Sequence, residues 1–250
     1  MSHVLYALDL PTLLVLRRVC RTWEDSVSEH LLMALSALLQ DLVPNPRAFL
    51  SSLTFARGFI VGSTAVAFLL RRSSSFGKAV DVVLPRDSSV TAFVFHLMME
   101  QGARLRYQRI GANRQSRSRR AVAVTCHLLT SKGWIYVHQS TSRFALLPIV
   151  MSTLSLQLSY VNMHHFGTAY PNLLFDRRAL LANLSASKSA VVAAYLERGF
   201  SIRLYSNHWP DHDDEGQCAA EFFECPAQVR TFSDEVTVVF TFVHHDVETP

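Results

Sequence analysis

Three residues have the types and spacing needed to bind a phosphate group beside a cation. Gly62 and Ser63 stand between an apolar segment that predicts a short strand and a second apolar segment that predicts a helix. A glycine–serine turn at a helix N-terminus presents backbone N–H groups that can bind phosphate oxygens. Asp81 follows in another short apolar strand, and carboxylates are the ligands that hard divalent cations prefer. The pattern therefore predicts a phosphate-binding turn next to one carboxylate.

Several segments in a fixed order extend this pattern. The chain reads GSTAVAFLL at residues 62–70, AVDVVLP at 79–85 and SRFALLPI at 142–149. Their order and spacing resemble an uncharacterised fungal family with a nucleotidyltransferase-like domain, and the resemblance spans roughly residues 48–245. It implies an α+β fold, a mixed sheet flanked by helices. In such a domain the glycine–serine turn holds a triphosphate, and an Asp-x-Asp strand with a third Asp from a neighbouring strand holds the metal ions.

The chain departs from that family at two of the three carboxylate positions. Ala79 stands at the first position and Tyr136 at the third, so only Asp81 is kept. Nucleotidyl transfer needs two metal ions that bridge the attacking hydroxyl and the triphosphate. A lone carboxylate cannot hold two divalent cations against their hydration. We therefore expect a protein without transferase activity, resident cofactor or metal, which acts in binding or as an interaction scaffold.

Neighbouring polar residues do not replace the missing carboxylates. Asp87 follows Asp81 by six residues, beyond Pro85, and a rise of about 3.3 Å per residue puts it far away. His138 offers a nitrogen near Tyr136, but imidazole is a poor ligand for Mg²⁺. The alternative interpretation is a divergent nucleotide-binding protein or nucleotidyltransferase that uses Gly62, Ser63 and Asp81 with Mg²⁺ and a nucleoside triphosphate.

The N-terminal segment resembles part of a second family. Residues 8–25 read LDLPTLLVLRRVCRTWED, which is similar to the second half of an F-box. This resemblance implies that residues 4–42 bind an adaptor protein of a cullin ubiquitin ligase, although the leading helix of the motif is missing from the pattern. The candidate contacts are Leu13, Leu16, Val19 and Trp23. The other interpretation is a helix pair that packs on the main domain, with Val19, Cys20 and Trp23 as its core.

Composition and charge limit the classes of partner. The chain has 250 residues, 49% of them hydrophobic, and a net charge of +4. The excess of arginine is concentrated between Arg114 and Arg120, which is a local cluster and argues against a nucleic-acid-binding protein. The four cysteines have no tight pairing, and no secretory signal or membrane-spanning run is visible, so we expect a cytoplasmic or nuclear protein.

The positions of proline and glycine help to predict where helices and strands begin and end. Pro44 and Pro46 mark a boundary between a helical segment, residues 1–45, and the nucleotidyltransferase-like domain, residues 46–250. A helix that ends at Gly102 is predicted to begin at a cap formed by Asp87 or Ser88. The other predicted helices are residues 64–71, 142–164 and 187–198, and the other predicted strands are residues 105–110, 121–129, 134–139, 202–205 and 235–243.

Overall fold

Helices and strands alternate along the chain after an all-helical start. A computed structural model describes residues 2–72, 76–111, 121–182, 189–211 and 238–242. Its helices are α1 Ser2–Ala7, α2 Leu10–Leu16, α3 Arg21–Gln40, α4 Pro46–Phe55, α5 Gly62–Leu69, α6 Val90–Gln101, α7 Leu147–Val150, α8 Pro171–Phe175 and α9 Ala190–Leu196. Its strands are β1 Phe59–Val61, β2 Ala79–Leu84, β3 Arg104–Ile110, β4 Val122–Leu129, β5 Trp134–Ser140, β6 Ser159–Val161, β7 His165–Thr168, β8 Arg178–Leu180, β9 Ser201–Arg203 and β10 Val238–Thr241.

One large mixed sheet organises the fold, which is α+β as the sequence predicts. Its strand order is β10-β7-β6-β1-β2-β5-β4-β3, and β8 pairs with β9 in a small separate sheet. Within the large sheet, β2 and β5 are parallel and the other neighbours are antiparallel. A parallel pair needs a crossover connection, and α6 with the antiparallel strands β3 and β4 provides it. This crossover places β5 directly beside β2.

The two faces of the central strands have different surroundings. Alternate residues of β2, β5 and β4 are buried in the main hydrophobic cluster together with α5 and α6: Val80, Val82, Leu84, Ile135, Val137, Cys126 and Leu128. The residues between them point to the opposite face because side chains alternate along a strand. Many of these are polar or aromatic and remain partly exposed, so this second face carries the groups that can do chemistry.

The N-terminal helices have identifiable start signals. The side chain of Asp9 accepts a hydrogen bond of 2.9 Å from the backbone N–H of Thr12 and caps α2, whose first turn contains Pro11. Asn45 caps α4 in the same way, through a 3.1 Å bond from the N–H of Ala48. Cys20 precedes α3 in an extended conformation and is exposed. The prediction that Cys20 is a buried core residue is therefore wrong.

Residues on both sides of the proline pair share one hydrophobic cluster. Leucines of α3, such as Leu31 and Leu35, belong to the same cluster as Phe49 of α4 and the buried face of the sheet. The side chain of Gln101 also binds the backbone of Asn45, accepting from its N–H and donating to its carbonyl, each at 2.8 Å. The division at residue 45 stays a prediction, and the helices on either side of it pack together.

Two predicted elements differ from the structure. Residues 142–164 were expected to be mostly helical, but they contain only the four-residue α7, a short 3-10 turn and strand β6. Hydroxyl groups explain the difference, because Ser155 accepts a hydrogen bond from the N–H of Leu180 and Ser159 donates one to Thr168, which binds this segment to other parts of the chain. The start of α6 also differs.

The cap of α6 is Ser89 rather than Asp87 or Ser88. The Ser89 hydroxyl accepts a 3.2 Å bond from the N–H of Ala92. Ser88 instead donates to the carbonyl of Ala56, and Asp87 pairs with Arg57 at 2.8 Å. Both residues are therefore engaged with the end of α4. The helix ends at Gly102 in the left-handed conformation, as predicted.

The helices of the described residues were compared with the length and apolarity that a membrane-spanning helix needs. Within those ranges, no helix is both long and apolar enough to span a bilayer.

Candidate functional site

The predicted turn and the kept carboxylate lie together in the structure. Val61, the last residue of β1, pairs with Asp81 of β2, and α5 begins at the next residue, Gly62. Gly62 has a φ of 66°, and a Cβ placed there would lie 3.0 Å from Oδ2 of Asp81. Ser63 follows in the first turn of α5 and is half-buried. The fold thus brings Gly62, Ser63 and Asp81 to one place, as the sequence predicts.

Burial changes the protonation of Asp81. About a third of its side chain, 34%, remains accessible, and its nearest ionisable partner is Nε2 of His138, 3.9 Å from Oδ1. Removal from water disfavours the charged carboxylate and raises the pKa of Asp81 to about 6. A carboxyl group with this pKa can accept or release a proton close to neutral pH.

His138 is shifted in the direction that keeps it neutral. Burial, and then the positive charges of His127 and Arg109, lower its pKa to about 4. At neutral pH the pair therefore consists of a largely ionised Asp81 and an uncharged imidazole, which is not a salt bridge. Perturbed pairs of this kind are common at functional sites, although structural networks also produce them.

The phenol of Tyr195 lies close enough to this site to respond to its charge. Burial raises the pKa of Tyr195, and the negative charge of Asp81 raises it further, while Arg198 acts in the opposite direction. Tyr195 comes from α9, far from Asp81 in the sequence. Its place near the site was not predicted, because no local pattern connects the two segments.

The strand register shows which residues neighbour Ala79 and Asp81 on β2. Asp81 is paired with Tyr136 across the parallel β2–β5 ladder, and Ala79 is paired with Trp134. A phenol therefore lies directly beside the kept carboxylate. In the described part of the chain, no group of three His, Cys, Asp or Glu residues is arranged to hold a metal ion. These residues do not fit the pair of Mg²⁺ ions that the family resemblance implies.

A row of rings extends from this position across three strands. The ring of Tyr136 on β5 lies 4.8 Å from that of His127 on β4, which lies 4.9 Å from that of Tyr107 on β3. Trp134 stacks on Tyr136 at 6.1 Å with an angle of 15° between the planes. We call these four residues the ring row. Sequence analysis did not predict it, because the four residues come together only through the register of β3, β4 and β5.

The four candidate adaptor contacts differ in accessibility. Leu13 is fully buried, and Leu16 and Trp23 are half-buried against the main hydrophobic cluster. Val19 is 65% exposed, as is Val15. The helical core interpretation is therefore wrong for Val19 and Cys20, which are exposed, while Trp23 packs against the hydrophobic cluster.

The largest apolar groove among those measured lies away from these residues. It has a volume of about 740 Å³ and lies between α4 and α6, where its walls include Phe55 and Phe95. None of its lining residues belongs to the turn at Gly62, to β2 or to the ring row. The groove therefore adds no chemistry to the candidate site.

Some predicted features fall outside the described residues. These are the arginine cluster between Arg114 and Arg120 and the cysteines Cys218 and Cys225.

Comparison with known proteins gives no relative for this chain. No protein-family model matches it, and neither the curated proteins nor the solved structures contain a significant match. The function is therefore argued from the side chains themselves.

Proposed function

We propose that this chain is a nucleotidyltransferase-like protein without transferase activity, which acts through binding. The observation that carries the proposal is the β2–β5 register, which sets Asp81 beside Tyr136 and leaves Ala79 two residues before it. The first and third carboxylates of the family would stand on these neighbouring strands, within reach of the turn at Gly62. The arrangement of turn and strands thus supports the resemblance, while the residue types oppose metal-dependent catalysis.

The electrostatics of the turn support the same proposal. With a pKa of about 6, Asp81 carries a negative charge in most molecules at pH 7. Its Oδ2 lies against Gly62, where a phosphate group would approach the start of α5. Without cations to neutralise it, this charge repels a triphosphate. We therefore expect the turn to bind nucleoside triphosphates weakly or not at all.

Calorimetry with ATP, GTP, CTP and UTP, each with and without Mg²⁺, tests this proposal. We expect no Mg²⁺-dependent binding by the wild-type chain at millimolar nucleotide. The double variant Ala79→Asp with Tyr136→Asp restores the two carboxylates and should gain Mg²⁺-dependent binding if the fold is nucleotidyltransferase-like.

One result would decide in favour of the alternative interpretation. Mg²⁺-dependent binding by the wild type that is lost in Asp81→Asn and in Ser63→Ala, but kept in the control Asp87→Asn, would overturn the proposal in favour of an active or nucleotide-binding protein. Asp87 is a suitable control because it is exposed and pairs with Arg57 at the end of α4.

A second candidate function is binding of a cullin ubiquitin ligase adaptor by residues 4–42. The observation that favours it is the exposure of apolar residues on these helices: Val4 58%, Tyr6 63%, Val15 65% and Val19 65%. Such an adaptor acts in the cytoplasm or nucleus, which is where this proposal places the chain. Pull-down with a purified adaptor tests it, and Val19→Asp should abolish capture. Val191→Asp, which changes a 42% exposed valine of α9, is the matched control.

A further inference from the structure

We propose that the ring row binds single-stranded nucleic acid by stacking its bases on Tyr107, His127, Tyr136 and Trp134. This inference goes beyond the proposed function, because it does not depend on the turn at Gly62 or on the nucleotidyltransferase-like interpretation. It also departs from the expectation drawn from the local arginine cluster, residues 114–120, which argued against nucleic-acid binding and which contains no aromatic residue. The structure supplies those aromatic residues from three separate strands.

The rings of Tyr107, His127 and Tyr136 follow one another at 4.9 and 4.8 Å, close to the spacing of neighbouring strands. The row is therefore roughly 10 Å long across β3, β4 and β5. Their planes are inclined by 43° and 69° in turn, so bases would stack on individual rings and not on one continuous plane. Tyr107 is 46% exposed and the other three residues are half-buried. Their orientation is fixed by packing while part of each ring stays accessible.

Arg104 and Arg109 give the β3 end of this face a positive charge that suits phosphates, while Asp81 lies at the other end, beside Tyr136. Arg104 and Arg109 of β3 pair with Leu129 and Thr125 of β4, so they lie on the same face of the sheet as His127. The sequences of β3, β4 and β5 contain three arginines and no acidic residue. Arginine side chains next to stacked aromatic rings are the combination that binds the phosphates and bases of a single strand. An uncharged partner, such as an apolar peptide, would leave these arginines without counter-charges.

Neighbouring polar groups can bind the edges of a base or a sugar hydroxyl. Thr125 and His138 lie on the same face, and their side chains are 3.4 Å apart. His138 is neutral at physiological pH, so one ring nitrogen donates and the other accepts. A duplex keeps its bases stacked on one another and their Watson–Crick edges paired, so it offers neither to the row. The expected ligand is therefore a single strand.

Fluorescence anisotropy with a labelled oligouridine RNA of about 12 nucleotides tests the proposal on the full chain. Tyr107→Ala should weaken binding about tenfold, since loss of one stacked base has an effect of this order. Tyr107→Phe keeps the ring and should bind like the wild type. Tyr205→Ala removes a 52% exposed tyrosine outside the face and should have no effect. The oligouridine annealed to oligoadenine should bind at least about tenfold more weakly than the single strand.

The charge variants complete the experiment. Arg104→Gln with Arg109→Gln should weaken binding and reduce its dependence on salt concentration. Wild-type affinity in Tyr107→Ala, with a loss only in the arginine variants, would indicate non-specific electrostatics and overturn the proposal. Equal affinity for the duplex, or no binding at low salt, would also overturn it. Thermal unfolding of each variant verifies that it is folded. These results are independent of the nucleotide calorimetry, so either proposal can fail without the other.

Discussion

Gly62 and Asp81 lie in contact, and the carboxylate of Asp81 occupies the side of Gly62 where any other residue would have its Cβ. A Cβ at Gly62 would lie 3.0 Å from Oδ2 of Asp81. The φ of 66° at Gly62 is itself strained for a residue with a side chain. We therefore expect Gly62→Ala to lower the free energy of unfolding by about 1–2 kcal/mol, measured by urea denaturation.

A matched glycine separates the close contact from the strain of the backbone. Gly102 has a similar φ of 58°, and a Cβ there would meet no atom within 4 Å. Gly102→Ala should therefore cost less than Gly62→Ala, because it adds backbone strain without a close contact. Combining Gly62→Ala with Asp81→Ala should cost less than the two single changes added together, because the close contact is then absent. Strict additivity would contradict the contact.

The raised pKa of Asp81 predicts a dependence of stability on pH. The pKa is about 6 in the folded protein, against a reference value of 3.8. Folding therefore favours the protonated acid, and Asp81 lowers the free energy of unfolding as the pH rises from 3.8 through 6. Asp81→Asn should be more stable than the wild type by about 1 kcal/mol near neutral pH, because water still reaches part of the side chain and weakens the effect.

Denaturation at two pH values checks this expectation. The stabilisation by Asp81→Asn should disappear well below the reference pKa, where both proteins carry an uncharged group at this position. Asp87→Asn, which removes an exposed partner of Arg57, should not stabilise the protein at either pH. A wild type that is the more stable protein at neutral pH would show that the carboxylate has a favourable partner in the native state.

The contact between His30 and Arg71 predicts a loss of stability in acid. Nε2 of His30 lies 2.8 Å from Nη2 of Arg71, which also donates to the carbonyl of Leu5 in α1. Burial, and then the charge of Arg71, lower the pKa of His30. The native state favours the neutral imidazole. His30 therefore leaves the free energy of unfolding undiminished above pH 6.5 and lowers it as the pH drops below that value.

His30→Gln tests this relationship. Glutamine keeps an acceptor for Arg71 but takes up no proton, so the variant should lose less stability than the wild type between pH 6.5 and about pH 5. His96→Gln, on α6, is the control. An identical pH dependence in wild type and His30→Gln, followed by circular dichroism during urea titration, would show that His30 does not carry the effect.

The side chain of Asn162 connects three backbone groups inside the protein. Its Nδ2 donates to the carbonyl of Gly58 at 3.2 Å, and its Oδ1 accepts from the N–H groups of His164 and His165 at 2.8 and 2.7 Å. Because Asn162 is buried, its replacement leaves these groups unpaired. Asn162→Ala should cost about 2–3 kcal/mol, and the control Asn172→Ala, in an exposed position on α8, should cost much less. Similar values for the two variants would contradict this role.

Elements marked by local signals were predictable from the sequence. Ser131, Lys132 and Gly133 separate two β-rich runs and predict the β4–β5 hairpin, which the structure contains with its strands antiparallel. Gly102 predicts the end of α6 and occupies the left-handed conformation. The turn at Gly62 was also predicted. Each of these features depends on the conformational preferences of a few adjacent residues. The expectation that Asp81 lies near the turn came instead from the family resemblance.

Features that depend on distant parts of the chain were not predicted. The ring row needs the register of three strands, and nothing in the sequence of β3 shows that Tyr107 will lie opposite His127. The expected helix over residues 142–164 failed for a similar reason. Its apolar residues, including Ala145 and Ile149, pack with Tyr160 on the sheet, and this tertiary contact overrides the helical spacing.

The position of β3 has a consequence for association between copies of this chain. In the sheet formed by the described residues, β3 is the last strand, so one side of its backbone lacks a strand partner. Such edges invite pairing with another molecule, which leads to aggregation. Three arginines in seven residues, and the irregular register between Leu105 and Tyr107, oppose the approach of an identical edge by repulsion and by twist. Exchange of all three arginines for valine would therefore be expected to make the protein precipitate at concentrations where the wild type stays dispersed.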